Sequence, residues 1–188
     1  MVSKDFSRLE GSPRPRVGVS SCLLGEEVRY DGGHKRDEVV VETLGRLFSF
    51  LPLCPEYELG LGVPREPIAL FGDPESPRLL GLETGRDLTE EMAAFCRQKA
   101  RTLKEAGLQG FILKSKSPSC GLRSLEVRVH PGKVIRRGVG FWARALRDEF
   151  PRIPLVESWE LEDPSVREAF VERVLALFHG KGESEPGP

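Results

Sequence analysis

The chain of 188 residues is 39% hydrophobic and 30% charged, enough for one domain with a packed core and too short for two comfortable ones. Its formal net charge of −1 advertises neither a nucleic-acid surface nor a membrane surface, so neither is expected as a partner. The polar start Met1-Val-Ser-Lys-Asp5 holds no apolar signal core, and no apolar run approaches a membrane span, which predicts a cytoplasmic protein.

Residues 1–16 are polar and Pro-containing and read as a flexible arm ahead of a single α/β domain over 17–179. Val17-Gly-Val-Ser-Ser-Cys22 reads as a short buried strand, followed by a Gly-rich, charged loop to about Lys35. Asp37 can cap a helix with Val40, Leu44, Leu47 and Leu51 at helical spacing, before a short apolar segment ends at Cys54-Pro55. From Pro55 to Gly85 prolines break the chain, leaving room for small strands at 68–71 and 78–82. Asp87 with Glu90 opens a helix through Met92, Phe95, Cys96, Ala100 and Leu103 that closes at Gly107.

Gly110-Phe-Ile-Leu113 is the next buried strand, and the polar loop Lys114 to Gly121 leaves it. Val127 to Val134 suits a hairpin around Pro131-Gly132. A helix with Val139, Trp142, Leu146 and Phe150 on one face precedes a strand near 154–157, and Asp163-Pro164 opens a last helix to Phe178. Residues 180–188 read as a disordered tail. Alternating strands and helices predict an open, mostly parallel sheet with helices on both faces, a Rossmann-like three-layer α/β arrangement. In such sheets ligands bind beyond the carboxyl ends of the strands.

The cysteines gain meaning from that rule. Cys22 ends one expected strand, Cys54 ends a second, and Cys120 lies in the loop leaving a third. A parallel sheet can bring all three to one edge despite the long stretches between them. Thiolates are the usual ligands of iron–sulfur clusters, and zinc accepts them too. Three thiolates for four irons leave one iron without a protein ligand, an opening that a catalytic centre needs. Cysteines at strand ends also serve simply as small buried residues, and that reading stays open on position alone. Cys96, on an apolar helical face, reads as core packing. There is no Cys-x-x-Cys pair, no Gly-x-Gly-x-x-Gly and no phosphate-binding Gly-Lys-Ser/Thr motif.

Four blocks carry a resemblance: Ser20-Ser-Cys-Leu-Leu-Gly-Glu-Glu-Val-Arg-Tyr-Asp-Gly-Gly-His-Lys-Arg-Asp37, Cys54-Pro-Glu56, Val63-Pro-Arg-Glu-Pro67 and Lys114-Ser-Lys-Ser-Pro-Ser-Cys-Gly121. Together, and in this order, they resemble the signature blocks of the thiouracil desulfidase family. The resemblance implies a [4Fe-4S] cluster with three cysteine ligands, Cys22, Cys54 and Cys120, and a small thiolated substrate. Glu58 to Pro67, Phe150 to Glu157 and Asp163 to Arg173 resemble a longer branch whose members often carry a second C-terminal domain. The chain ends soon after these residues, so that domain is not expected here.

The expected chemistry replaces C=S by C=O in a thiolated pyrimidine or related small thioamide, with sulfur bound at the open iron and released as sulfide. Glu56, two residues beyond Cys54, is the candidate base that takes a proton from water and returns one to a ring nitrogen. The resemblance points to a catalytic serine in the block before Cys120, assigned to Ser117 as a hydrogen-bonding or proton-relay group, with Ser119 a candidate substrate contact; both serines also suit a tight turn. Arg29, Tyr30 and Lys114 are candidate substrate contacts, and Lys114 and Lys116 can offset the negative charge of a thiolate-ligated cluster. Two rivals remain at this level: a non-catalytic zinc module using the three cysteines and His34, and a sulfur transferase passing cluster-borne sulfur to an acceptor.

Overall fold

The structure is a computed structural model that describes residues 13–130 and 132–180. The expected arm up to residue 12, Pro131 of the hairpin turn and the tail from 181 lie outside the described residues. Arg16 already belongs to the first strand, its backbone N–H donating to Gln109 at 2.6 Å. Among the described residues no helix is long and apolar enough to cross a membrane.

Four short apolar strands build the central sheet: β1 (Arg16–Ser20), β2 (Ser49–Leu53), β5 (Gly110–Leu113) and β8 (Leu155–Glu157). They pair in the order β2-β1-β5-β8, every neighbour parallel. Parallel strands require covered faces, and their side chains alternate between the two. Val17, Val19 and Ile112 face a core completed by Val40, Leu44, Phe48 and residues of helix α4 (Pro164–Phe178). Leu53, Phe111 and Leu113 face the other core, built with helices α2 (Thr89–Glu105) and α3 (Phe141–Glu149). The α/β order, parallel sheet and two covered faces are those read from the sequence.

A second sheet stands beside the first. Strands β3 (Ile68–Gly72), β4 (Pro77–Gly81), β6 (Leu125–His130) and β7 (Lys133–Gly138) run in the order β4-β3-β6-β7. Two antiparallel hairpins are joined through a parallel β3–β6 contact. The sequence places β3 and β4 singly and reads a hairpin at β6 and β7, but local pattern holds no record of how the distant strands β3 and β6 meet.

The segment after Asp37 differs from the expected continuous helix. A π-helical turn (Val39–Thr43) and a 3₁₀ turn (Leu44–Arg46) are followed by β2, which claims Leu51. Asp37 still caps the turn, its carboxylate accepting from Val40 N–H at 3.1 Å. Phe50, Leu51 and Pro52 pair instead with Val17, Gly18 and Val19, and the edge position of β2 tolerates the missing N–H of Pro52. Tertiary pairing outweighs helical spacing here. Helix α2 ends as read: Gly107, at φ +71°, lets Leu108 N–H reach Leu103 O (3.2 Å) and Gly107 N–H reach Lys104 O (3.0 Å), a Schellman closure.

The sheet meets its α2/α3 core through one close approach. A side chain at Gly18 would overlap the Phe111 ring, which packs edge-on against Trp142 at 5.5 Å between centroids. Gly18→Ala should therefore destabilise the fold by roughly 1–3 kcal/mol, the usual cost of overpacking a core. Denaturant unfolding followed by tryptophan fluorescence checks this, and an unchanged midpoint would mean that the aromatic pair moves aside freely.

Candidate functional site

The carboxyl ends of β2, β1 and β5 lie side by side, because Ser20 pairs with Leu53 and Val19 with Ile112. Each strand hands the chain to a different device that presents a thiol. After β1 a 3₁₀ turn (Ser21–Leu24) carries Cys22 and is closed by Gly25 at φ +96°. The returning loop fastens that turn, with Lys35 N–H donating to Cys22 O at 2.8 Å and Asp37 N–H to Leu23 O at 2.9 Å. After β2, Cys54 is the cap of the short helix α1 (Pro55–Glu58), with Pro55 in the first-turn position where its missing N–H costs nothing. That proline ends the strand and points the first turn, Glu56 included, toward the same edge.

The third device is the turn Ser117–Gly121 after β5. Ser117 Oγ accepts from the N–H groups of Ser119 (3.3 Å) and Cys120 (3.1 Å), and Ser117 O accepts from Gly121 N–H (2.8 Å). The turn is then fastened to the start of α3, where Trp142 N–H donates to Ser119 O and Gly140 N–H to Gly121 O, both at 2.8 Å. Glu157 at the end of β8 accepts from Leu122 N–H at 2.8 Å and holds the next residue.

These devices enclose a cavity of about 370 Å³ lined by Cys22, Cys54 and Cys120 together with Arg29, Tyr30, Glu56, Arg65, Lys114, Lys116 and Ser117. Nine of these positions were singled out from sequence. Ser119 is fully buried behind the wall and its hydroxyl donates to Glu56 Oε1 at 2.8 Å. His34 is not among the lining residues, and its Nδ1 accepts from Arg36 N–H at 3.2 Å. Cys96 sits in the core between α2 and the sheet, where burial pushes its thiol to about 12.

Arg65 is the residue the sequence reading passed over. It stands in the block Val63-Pro-Arg-Glu-Pro67, but no spacing links it to Glu56, and only the fold brings the two together. Its Nε and Nη2 donate to Glu56 Oε2 at 3.0 and 2.7 Å. Elsewhere in the cavity Arg29 is paired with Asp31 at 3.1 Å and lies over the Tyr30 ring, 5.4 Å from its centre. Lys114 Nζ donates to Ser115 O at 2.8 Å.

Burial dominates the electrostatics of the thiols. It pushes Cys22 up against the opposing cations Lys114 and Arg29, Cys54 to about 11, and Cys120 well above the ordinary thiol value. Burial also lowers Lys114, which lies near Cys22 and Cys120. Desolvation outweighs the nearby cations, so the buried Cys22 and Cys120 and the half-buried Cys54 favour their neutral forms. Bound iron reverses that preference, since a coordinating thiol gives up its proton. The donor set fits a cluster: three soft sulfurs line one cavity, with no fourth thiol or imidazole among the described residues that line it. Among the described residues no three Cys, His, Asp or Glu side chains are gathered as they would be around one metal ion. A cubane spreads its thiolates over separate irons and needs no such tight grouping.

Fold and cavity together define a class: an α/β protein whose parallel sheet gathers three thiols, a carboxylate and four basic side chains at the carboxyl ends of its strands. The chain belongs to the 2-thiouracil desulfurase family, whose model matches residues 17–158. It is similar to the uncharacterised protein YbbK of Bacillus subtilis (strain 168), with 33% identity over 153 residues, 77% of this chain and 97% of that protein. The solved structure of a [4Fe-4S]-dependent thiouracil desulfidase, TudS, superposes with a TM-score of 0.67 at 28% identity, covering 83% of this chain and 99% of its own.

The fastening of the third turn to α3 generates a structural expectation. A Cβ at Gly140 would overlap the Ser119 carbonyl and press on the Cys120 N–H. Gly140→Ala should lower stability by roughly 1–3 kcal/mol and speed the reaction of Cys120 with a thiol reagent in metal-free protein. Unaltered thiol reactivity would mean that α3 does not hold the turn.

Proposed function

We propose that this protein is a desulfidase that replaces C=S by C=O in a thiolated pyrimidine or a related small thioamide and releases sulfide. The observation that carries the reading is the meeting of Cys22, Cys54 and Cys120 with Glu56 and Ser117 around one cavity. Membership of the 2-thiouracil desulfurase family supports it, as does likeness to a [4Fe-4S]-dependent desulfidase. The three cysteines would hold the cluster. When bound, a [4Fe-4S] cluster on three thiolates supplies one Lewis-acidic iron free to take the substrate's sulfur.

The chain's own groups perform the rest. Tyr30 and Arg29 offer an aromatic face and a cation to a planar ring at the cavity wall. Lys114 places a half-buried positive charge where the negative charge of three thiolates gathers. Glu56 takes a proton from water as the oxygen attacks the thiocarbonyl carbon and hands it to the ring nitrogen of a substrate bound as its thiolate; when the C–S bond breaks, the hydroxyl proton and the proton shed on binding leave with the sulfur as hydrogen sulfide. The lone pairs of Ser117 Oγ are engaged by two backbone N–H groups, which leaves its own O–H as a donor toward the substrate. Water in and hydrogen sulfide out balance the reaction with no external electron donor.

Anaerobically prepared protein should be brown and contain about four irons and four sulfides per chain, as one cubane holds. Cys22→Ser, Cys54→Ser and Cys120→Ser should each lose both colour and sulfide release, whereas Cys96→Ser keeps both. Colour surviving the loss of one of the three removes that residue from the ligand set. Glu56→Gln should keep the cluster but lower kcat on a thiolated base by about 10²–10⁴-fold, the usual contribution of a positioned base. Anaerobic incubation with a panel of thiolated bases, following sulfide and the oxygen product, reads both. Transfer of the sulfur to an acceptor in place of free sulfide would refute the hydrolytic reading.

A further inference from the structure

The wall of the cavity contains a cation, Arg65, whose donors are engaged by the protein itself. The Arg65 side chain is only 6% exposed and Glu56 12%, so the pair is largely removed from water. Besides its two bonds to Glu56 Oε2, Arg65 donates from Nη2 to Val28 O at 3.0 Å and from Nη1 to Gly62 O at 2.8 Å. Its backbone N–H donates to Tyr30 O at 2.9 Å. The guanidinium therefore spans the loop that follows Cys22 and the helix that follows Cys54. On the other side, Ser119 Oγ holds Glu56 Oε1 at 2.8 Å from a fully buried position.

A carboxylate gripped at both oxygens cannot turn about its last bond. Each of its oxygens offers two acceptor sites. At Oε2 both are taken by Arg65, and at Oε1 one is taken by Ser119. A single site remains. We propose that Arg65 is a positioning residue for Glu56: it fixes the carboxylate plane so that the free lone pair of Oε1 receives the proton from water. The inference rests on the reading of Glu56 as the base. Burial gives the arrangement its force, because an ion pair removed from solvent keeps its geometry where a surface pair exchanges with water.

Two other roles for Arg65 are open to a buried arginine in a cavity wall, and they predict different data. If it bound the substrate itself, its loss would weaken binding and would add to the loss of Glu56. If it merely clipped the two cysteine loops together, its loss would empty the site of iron.

The experiment is a double-mutant cycle on cluster-loaded protein with Arg65→Gln, Glu56→Gln and the pair, and with Arg65→Lys as a second single variant. Iron and sulfide content, melting temperature and calorimetric binding of uracil, the unreactive oxygen counterpart of the thiolated base, accompany the kinetics. We expect Arg65→Gln to keep iron and uracil affinity, to lower kcat about 100-fold with KM unchanged, and to add nothing in the Glu56→Gln background. Arg65→Lys, which keeps the charge but not the fork, should recover part of kcat. Additive losses in the pair, or a matching loss of uracil affinity, would overturn the proposal in favour of direct binding. Loss of iron from both Arg65 variants would overturn it in favour of a clip. Full activity of Glu56→Gln would instead defeat the reading of the base on which it rests.

Discussion

Everything at this site depends on three parallel strands ending in register. The pairing of Ser20 with Leu53 and of Val19 with Ile112 sets the ends of β1, β2 and β5 on one edge, so that three remote cysteines become neighbours. Buried thiols lack favourable charge of their own, and the cations Lys114 and Arg29 offset the burial of Cys22 only in part. The arrangement is thus unfavourable to free thiolates and favourable to thiolates that share their charge with a metal. In the proposed cluster-bound state, the cost of burying these thiols would be recovered by their bonds to iron.

Each thiol is held by a different local device. Gly25 closes the turn of Cys22, Pro55 starts the helix capped by Cys54, and Ser117 with the start of α3 holds the turn of Cys120. None of the three relies on a flexible side chain to set the direction of its sulfur. Rigid presentation matters because metal ligands placed on backbone turns keep their spacing when the guest changes. The same economy shows at Glu56, whose position follows from Pro55 and whose orientation follows from Arg65 and Ser119.

Local chemistry made much of this legible in the sequence. The end of α2 and the start of α4 were readable because Gly107, Asp163 and Pro164 act within one turn of where they stand. The expected Asp87–Glu90 cap pair, in contrast, is not formed: Leu88 is the cap residue of α2, and Asp87 accepts from Thr89 N–H. Strands β1 and β5 were readable because both faces are buried and their runs are apolar. Strand β2 was not, since Val40, Leu44, Leu47 and Leu51 keep helical spacing and only pairing with β1 decides the matter. The second sheet was hidden for the same reason. At the site, the cysteines, Glu56 and Ser117 stand in recognisable blocks, whereas the Arg65–Glu56 bond and the retreat of Ser119 behind the wall exist only in three dimensions.

The most direct test of the account is anaerobic diffraction with anomalous data on either side of the iron edge. It should place one four-iron cluster in the cavity, bonded to the sulfurs of Cys22, Cys54 and Cys120, with the fourth iron free of any protein ligand. A single zinc ion at the three cysteines, or a protein side chain on the fourth iron, would contradict it.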